Sequence, residues 1–338
     1  MADMQSVHEN NVALNEYGPG LVAVFVGGTS GIGESTAHAF VRHALNPHVY
    51  LIGQNAEQAA KIIKEMQDAN PWALVRFLKK DVSLLGDVDD ACKEIQERHN
   101  EVNILFMSPG VSKGGYSTQE GLDRKLSLHY YARMRFVVNL MPQLTTGSNR
   151  LSRVISVLGA GGEGPLILED LSLKTNYSLR NCANHAITMT SLAMNELSQA
   201  HPSISFIHTY PGVVKTNLTR DMGTVAHVGA KILPNLVTPW IVPLKESGER
   251  HLYLATNKSF GRLATRQFIT APTANTEFTI QAYLVDYRGL PRQNLKLLQR
   301  YNRDGISRTV WAHTLDVFKN YPSLRSKFIH HSQSRVAE

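Results

Sequence analysis

From residue 21 to about residue 210 the chain switches repeatedly between two hydrophobic periodicities. Strand-length apolar runs recur at Leu21 to Val26, His48 to Gly53, Ala73 to Leu78, Asn103 to Met107, Arg153 to Val157 and Ile204 to His208. Between them, apolar residues return every third or fourth position, the mark of a helix with one buried face. This predicts helices from Glu34 to Ala44, Ala56 to Ala69, Asp87 to His99, Glu120 to Met141 (stopping at Pro142) and Ala183 to Ala200. Apolar strands alternating with helices imply a parallel sheet covered on both faces. Right-handed crossovers then give an α/β, doubly wound parallel sheet. After residue 212 the rhythm loosens. Asn217 to Leu244 carries Pro234, Pro239 and Pro243 and reads as an irregular lid, with Lys231 the sole Lys or Arg between Val228 and Leu244, a count that favours a cover for an apolar substrate over a membrane-surface segment. Lys245 to Thr256 reads as a helix, Phe278 to Val285 as a last strand, and Leu290 to Phe318 as two helices packed on the same domain. Residues 1–20, polar and asparagine-containing, are expected to form a flexible arm.

The first strand runs directly into Gly27-Gly-Thr-Ser-Gly-Ile-Gly33, and a helix opens at once. A strand, a glycine turn and a helix in that order make a dinucleotide site, because the first turn of the helix offers free N–H groups to phosphates. Gly27 permits the tight turn, Gly31 the close approach of backbone to a pyrophosphate, and Gly33 the packing of helix on strand. Thr29, Ser30 and Ile32 line the same turn. The expected architecture is therefore a Rossmann core over residues 21–212, with residues 213–338 as lid and tail.

Composition narrows the picture only slightly. The 338 residues, 43% apolar and 19% charged, describe an ordinary globular chain. A net charge of +7 raises nucleic acid as a partner, but the basic residues are dispersed, with no run longer than Lys79-Lys80, so a cleft attractive to anionic cofactors is the better reading. Cys92 and Cys182 stand in unrelated contexts, which excludes a disulfide framework or cysteine-rich metal site. No segment has the pattern of a secretory signal or the length of a membrane span, so a cytoplasmic protein without nucleic-acid or membrane partners is expected, and the sequons at Asn176, Asn217 and Asn257 are chance matches.

The spacing Gly-x-x-x-Gly-x-Gly with Ile32 between the last two glycines, and the turn Tyr210-Pro-Gly-Val-Val-Lys-Thr216 after the sixth strand, resemble the short-chain dehydrogenase/reductase family. Leu126 to Arg135, Arg153 to Gly164, Ala183 to Thr190, Gly248 to Thr256 and Val310 to Phe318 are similar to an atypical branch of that family found in filamentous fungi, which tailors polyketides, terpenoids and alkaloids. The resemblance implies a nicotinamide cofactor. Where the family places an Asp or Glu to select NAD, this chain has Gly53 and Gln54, which favours NADP(H), although no Arg supplies the usual phosphate clamp. Asp81 and Val82 match the adenine-contacting pair, Gly110 the turn glycine after the fourth strand, and Pro211, Gly212, Val214 and Thr216 the nicotinamide-side turn, Thr216 reaching the carboxamide. The family habit is a homodimer or tetramer, though the tail here could cover the usual contact helices.

The same resemblance exposes an absence. Reduction of a carbonyl builds an oxyanion that must be stabilised and protonated, and the family uses a Ser, a Tyr-x-x-x-Lys pair and an Asn. The matching positions hold Leu158 or Gly159 for Ser, Asn181 for Tyr, His185 for Lys and His129 for Asn, and four residues after Tyr177 comes Asn181. Two readings stay open: a reductase with a substituted acid, for which His129, Tyr177 and His185 lead and Tyr130 and Tyr131 follow, or a site that has left hydride chemistry for a redox-neutral cyclisation, isomerisation or dehydration, or for cofactor binding alone. Gly159 to Tyr177, with its glycines and the apolar Leu166-Ile-Leu168, is expected to meet the substrate, either as a mobile lip or as an ordinary surface loop.

Overall fold

The computed structural model describes residues 2–214, 241–261 and 280–320. Seven strands, β1 (Val22–Val26), β2 (His48–Gly53), β3 (Leu74–Lys79), β4 (Ile104–Met107), β5 (Arg153–Val157), β6 (Ser205–Tyr210) and β9 (Tyr283–Asp286), form one sheet in the order β3-β2-β1-β4-β5-β6-β9. Every pairing in it is parallel. The chain order reverses between β1 and β4, and this switch point places a crevice beyond their carboxyl ends. A short parallel pair, β7 (Val213–Val214) with β8 (Ile241–Val242), brackets the beginning and end of a stretch outside the described residues.

The unbroken apolar runs have the expected cause. Side chains alternate across a strand, so Val22, Val24 and Val26 enter one core while Ala23 and Phe25 enter the other. The first core is covered by α4 (Leu85–Gln96), α5 (124–147) and α6 (Leu179–Ala200), the second by α2 (Gly31–His43), α3 (Ala56–Ala69) and α7 (Leu244–Thr256). Helix α5 begins at Arg124–Leu126, passes through one π turn at Ser127–Tyr131 and continues as Ala132–Gly147. Pro142 does not stop it: the helix runs on for another turn, because proline removes one N–H bond without ending the surrounding burial of Leu140 and Leu144. The tail packs on the same core. Helices α8 (Leu295–Arg303) and α9 (Ile306–Asn320) bury Leu298, Tyr301, Val310, Val317 and Phe318 against it.

The expected flexible arm is corrected by the structure. Residues 4–12 form α1 (Met4–Val12), capped by Asp3, whose side chain accepts from Ser6 N–H at 2.7 Å. Val7 is fully buried, and Asn11 donates to both the carbonyl and the carboxylate of Glu249 on α7. A polar segment could dock because its polar side chains meet polar partners, which apolar periodicity does not register. The last strand begins at Tyr283, not Phe278, and helix α6 opens at Leu179, where Ser178 supplies the N-cap by accepting from Asn181 N–H. The expected lid, Asn217 to Leu244, lies largely outside the described residues.

Candidate functional site

A cleft of about 440 Å3 opens at the carboxyl ends of β1, β2, β4 and β5. One end is the glycine turn, whose geometry suits phosphates. Gly27 has φ +79° and Gly31 φ +62°, the left-handed region that glycine alone adopts without cost. A Cβ at Gly33 would stand 2.4 Å from the Gly27 carbonyl oxygen and 2.6 Å from Ser108 Oγ, so that glycine is what lets α2 seat against the strand ends. The N-terminus of α2 is open. Ser30 occupies the N-cap with extended backbone and makes no side-chain cap bond, whereas the Asn55 side chain caps α3 and the Glu120 carboxylate accepts from Leu85 and Gly86 N–H at the start of α4. Gly27, Thr29, Ser30, Gly31 and Ile32 all line the cleft, and no Asp or Glu does among the described residues. These residues fit a dinucleotide: open helical N–H groups, close-approach glycines and an absence of repelling carboxylate.

The ribose end is lined by Gly53, Gln54, Asn55, Lys80 and Val82. A Cβ at Gly53 would lie 2.5 Å from Thr29 Oγ1, so the Thr29 hydroxyl takes the space where a side chain at residue 53 would project. Lys80 Nζ is 3.5 Å from Asp90 and 3.6 Å from Glu94, a loose pairing that leaves it at the cleft wall. Asp81 is bound up in its own turn. Its carboxylate accepts from Ser83 N–H and Oγ–H, its own N–H donates to Asp87, and it does not line the cleft, so it is a turn residue while Val82 makes the wall. Gly110 and Pro211 line the reactive end; Gly212, at φ +75°, packs under the Tyr287 ring, Val214 sits in β7, and Thr216 falls outside the described residues.

The three candidate acids separate. His129 faces the cleft on the π turn of α5, where its Nε2 accepts from Val111 N–H at 3.3 Å. Burial, then the nearby charges of Arg133 and Lys125, hold its pKa well below 6.5, so at neutral pH it is an uncharged imidazole. His185 is not in the cleft. It is fully buried in α6, its Nε2 accepts from Ile167 N–H at 2.9 Å, and its Nδ1 lies 3.2 Å from the Leu171 carbonyl, which it meets as donor. Tyr177 also lies away from the cleft, with its hydroxyl pressed against Gly114 and burial raising its pKa. His185 is turned by its helical phase toward the 159–177 loop, Tyr177 lies just before the Ser178 N-cap, and neither lines the cleft. Tyr130 and Tyr131 point to the tail: Tyr130 bonds Thr314, and Tyr131 bonds Ser172 and His313.

The segment 159–177 is pinned at several points. Gly159 N–H donates to His208 Nε2, the Glu163 carboxylate accepts from Gly161 N–H, Ser191 Oγ–H and Asn294 N–H, and Asp170 accepts from the N–H groups of Lys174, Thr175 and Asn176, which hold its carboxyl far below the usual range. It is an ordered loop joined to α6 and α8. Only Leu168 of its apolar patch is well exposed.

One residue that defines the reactive end was not singled out by sequence. Arg133, four positions after His129 and 1% exposed, lines the cleft. Its Nε donates to Leu128 O at 3.1 Å, Nη1 to Ser156 Oγ at 2.7 Å, Val157 O at 2.8 Å and Met107 O at 3.3 Å, and Nη2 to Pro109 O at 2.7 Å. Ser156 is thereby a partner of Arg133, in keeping with its position inside a strand. The signal available in sequence was an arginine on a helix face whose neighbours Ala132, Met134, Phe136 and Val137 are otherwise apolar.

Residues 21–225 match the short chain dehydrogenase family. An oxidoreductase of Emericella nidulans, AN1596, is 40% identical over 329 residues, covering 93% of this chain and 97% of that relative. The oxidoreductase andH of Emericella variicolor is 35% identical over 331 residues, covering 94% and 97%. Among solved structures, the NADPH-bound carbonyl reductase from chicken fatty liver shares the fold with a TM-score of 0.55 at 14% identity, over 81% of this chain and 98% of that one. Glycine turn, switch-point cleft and these likenesses agree, and the chain belongs to the short-chain dehydrogenase/reductase family of oxidoreductases.

Proposed function

We propose that this protein is an NADP(H)-dependent oxidoreductase acting on a small, largely apolar secondary metabolite, without the Ser-Tyr-Lys-Asn group usual in its family. The observation that carries the reading is the uncapped N-terminus of α2 behind Gly27–Gly33, opening into a cleft whose described lining holds Lys80, Arg124 and Arg133 and no carboxylate. A bound nicotinamide dinucleotide would supply or accept hydride. Its phosphates would be held by the turn from Gly27 to Gly33, and Lys80 with Thr29, Ser30, Gln54 and Asn55 would receive the 2′-phosphate in place of the missing arginine. The fungal oxidoreductases AN1596 and andH support an oxidoreductase role. The apolar walls Leu128, Val157 and Leu158 suit an apolar substrate.

A second reading is favoured by one observation: the hydroxyl of Tyr177 and the ring of His185 are turned away from the cleft, and His129, the candidate acid that faces it among the described residues, has its Nε2 engaged as an acceptor. On that reading the nucleotide pocket is a scaffold for a redox-neutral step. Calorimetry with NADPH and NADH tests the first premise, and tighter NADPH binding is expected. Incubation with apolar ketones from fungal pathways then separates the readings, since NADPH consumed in step with product supports reduction and product without consumption supports the alternative. Absence of heat with either dinucleotide, in folded protein, removes both.

A further inference from the structure

We propose that Arg133 is a catalytic residue that binds the oxygen of a ketone or aldehyde substrate and stabilises the negative charge that develops there, in place of the absent hydroxyl donors. The inference rests on the dinucleotide reading above and adds the residue that holds the reacting oxygen.

Donor arithmetic comes first. A guanidinium has five N–H groups. Nε uses one on Leu128, Nη1 uses both of its own on Ser156, Val157 and Met107, and Nη2 spends one on Pro109. One Nη2–H has no acceptor among the described residues, on a side chain that lines the cleft.

Charge is the second argument. All of the protein acceptors are neutral carbonyls or a hydroxyl, and no carboxylate pairs with Arg133 among the described residues. A buried cation without a counter-ion is expensive unless something anionic forms beside it. Its position fits that use. It ties the carboxyl end of β4, through Met107 and Pro109, to the end of β5, through Ser156 and Val157, so it sits at the floor between the two strands that carry the reactive end of the cleft. Four bonds to main-chain carbonyls and the one to Ser156 hold the guanidinium plane in place before substrate arrives, which is what electrostatic stabilisation requires. Leu128, Val157, Leu158 and Pro109 make the surroundings apolar, which strengthens the interaction. His129, one turn earlier, cannot supply the charge because its Nε2 is engaged as an acceptor.

In the reductive direction the carbonyl carbon would gain hydride, with its two electrons, from a bound reduced nicotinamide, which would be oxidised in the same step. The C–O π pair moves onto oxygen, and the alkoxide held by Arg133 takes a proton from water.

The test uses 2-naphthoate, an apolar carboxylate, titrated into the full-length protein saturated with NADP+. With NADP+ kept saturating for each variant, its affinity being measured separately, Arg133→Met should weaken naphthoate binding at least tenfold and Arg133→Lys three- to tenfold. In the unmodified protein naphthoate affinity should be flat from pH 6.5 to 8.5. Retention of naphthoate binding within twofold in Arg133→Met, no naphthoate binding at all by the NADP+ complex, or a tenfold loss per pH unit above 6.5 overturns the proposal. If Arg133→Met does not fold, Arg133→Lys decides, with less than a threefold loss counting against Arg133. Failure of NADP+ itself to bind would instead remove the dinucleotide reading.

Discussion

The two ends of the cleft are built by different means. At the glycine-turn end, which the proposed dinucleotide would meet with its phosphates, the surface is backbone: positive φ at Gly27 and Gly31, close packing at Gly33 and the open N–H groups of α2. At the reactive end it belongs to side chains brought from α5 and the ends of β4 and β5, with Arg133 at the junction. A backbone device tolerates almost no substitution at its glycines and most substitutions elsewhere. A side-chain device can exchange residues while the scaffold persists, and here the floor between β4 and β5 is laid by a buried arginine.

The largest effect should come from Gly33→Val. The added Cβ would meet the Gly27 carbonyl, a backbone atom that cannot swing aside, so NADPH affinity should drop about 100-fold, equal to about 2.7 kcal/mol. Near-normal binding by calorimetry would show that the phosphate end is more pliable than described. Next, His185→Ala should destabilise the fold by about 2 kcal/mol, because Ile167 N–H and Leu171 O both lose a buried partner, yet leave NADPH affinity within twofold. Urea titration beside calorimetry separates these outcomes, and lost nucleotide binding in a stable variant would return His185 to the site.

Protonation sharpens the contrast at the next scale. His208, wholly buried between Gly159 N–H and Ser191 Oγ, has its pKa lowered from 6.5 to about 3 by burial and then by the Arg133 charge. His251, also buried, is lowered to about 4. The unfolded chain takes up these protons near pH 6.5 and the folded one does not, so their contribution is complete above pH 6.5 and declines as pH falls from there toward 4. Each unprotonated ring costs about 1.4 kcal/mol of stability per pH unit in that window. Urea midpoints measured from pH 7 to 4 should fall accordingly, and His208→Asn should flatten the slope by close to one proton. An unchanged slope would mean that this ring is not held neutral. The smallest effect is expected at Lys80→Ala, about fivefold weaker NADPH binding with NADH within twofold, since only the 2′-phosphate would lose a partner. Equal losses for both dinucleotides would place Lys80 elsewhere on the ligand.

Particular residues show how far sequence reading reached. The strand, the glycine turn and α2 were legible because each follows from local rules: apolar runs, left-handed backbone, helical spacing. The packing of α8 and α9 follows a legible pattern too, since Val310 and Phe318 fall on an apolar face. Helix α1 was missed because it docks through Asn11, whose buried amide meets Glu249 far along the chain. Continuation of α5 through Pro142 was missed because a single lost hydrogen bond was weighed without the burial around it.

The sequence by itself determined that a glycine turn joins β1 to α2 and which glycines make it, because those requirements are set within a dozen residues of backbone. Tertiary structure alone decided which side chains reach the cleft. His129 and Arg133 face it while His185 and Tyr177 turn away, because helical phase, the π turn at Ser127–Tyr131 and the docking of α6 against its loop fix directions that spacing along the chain does not contain.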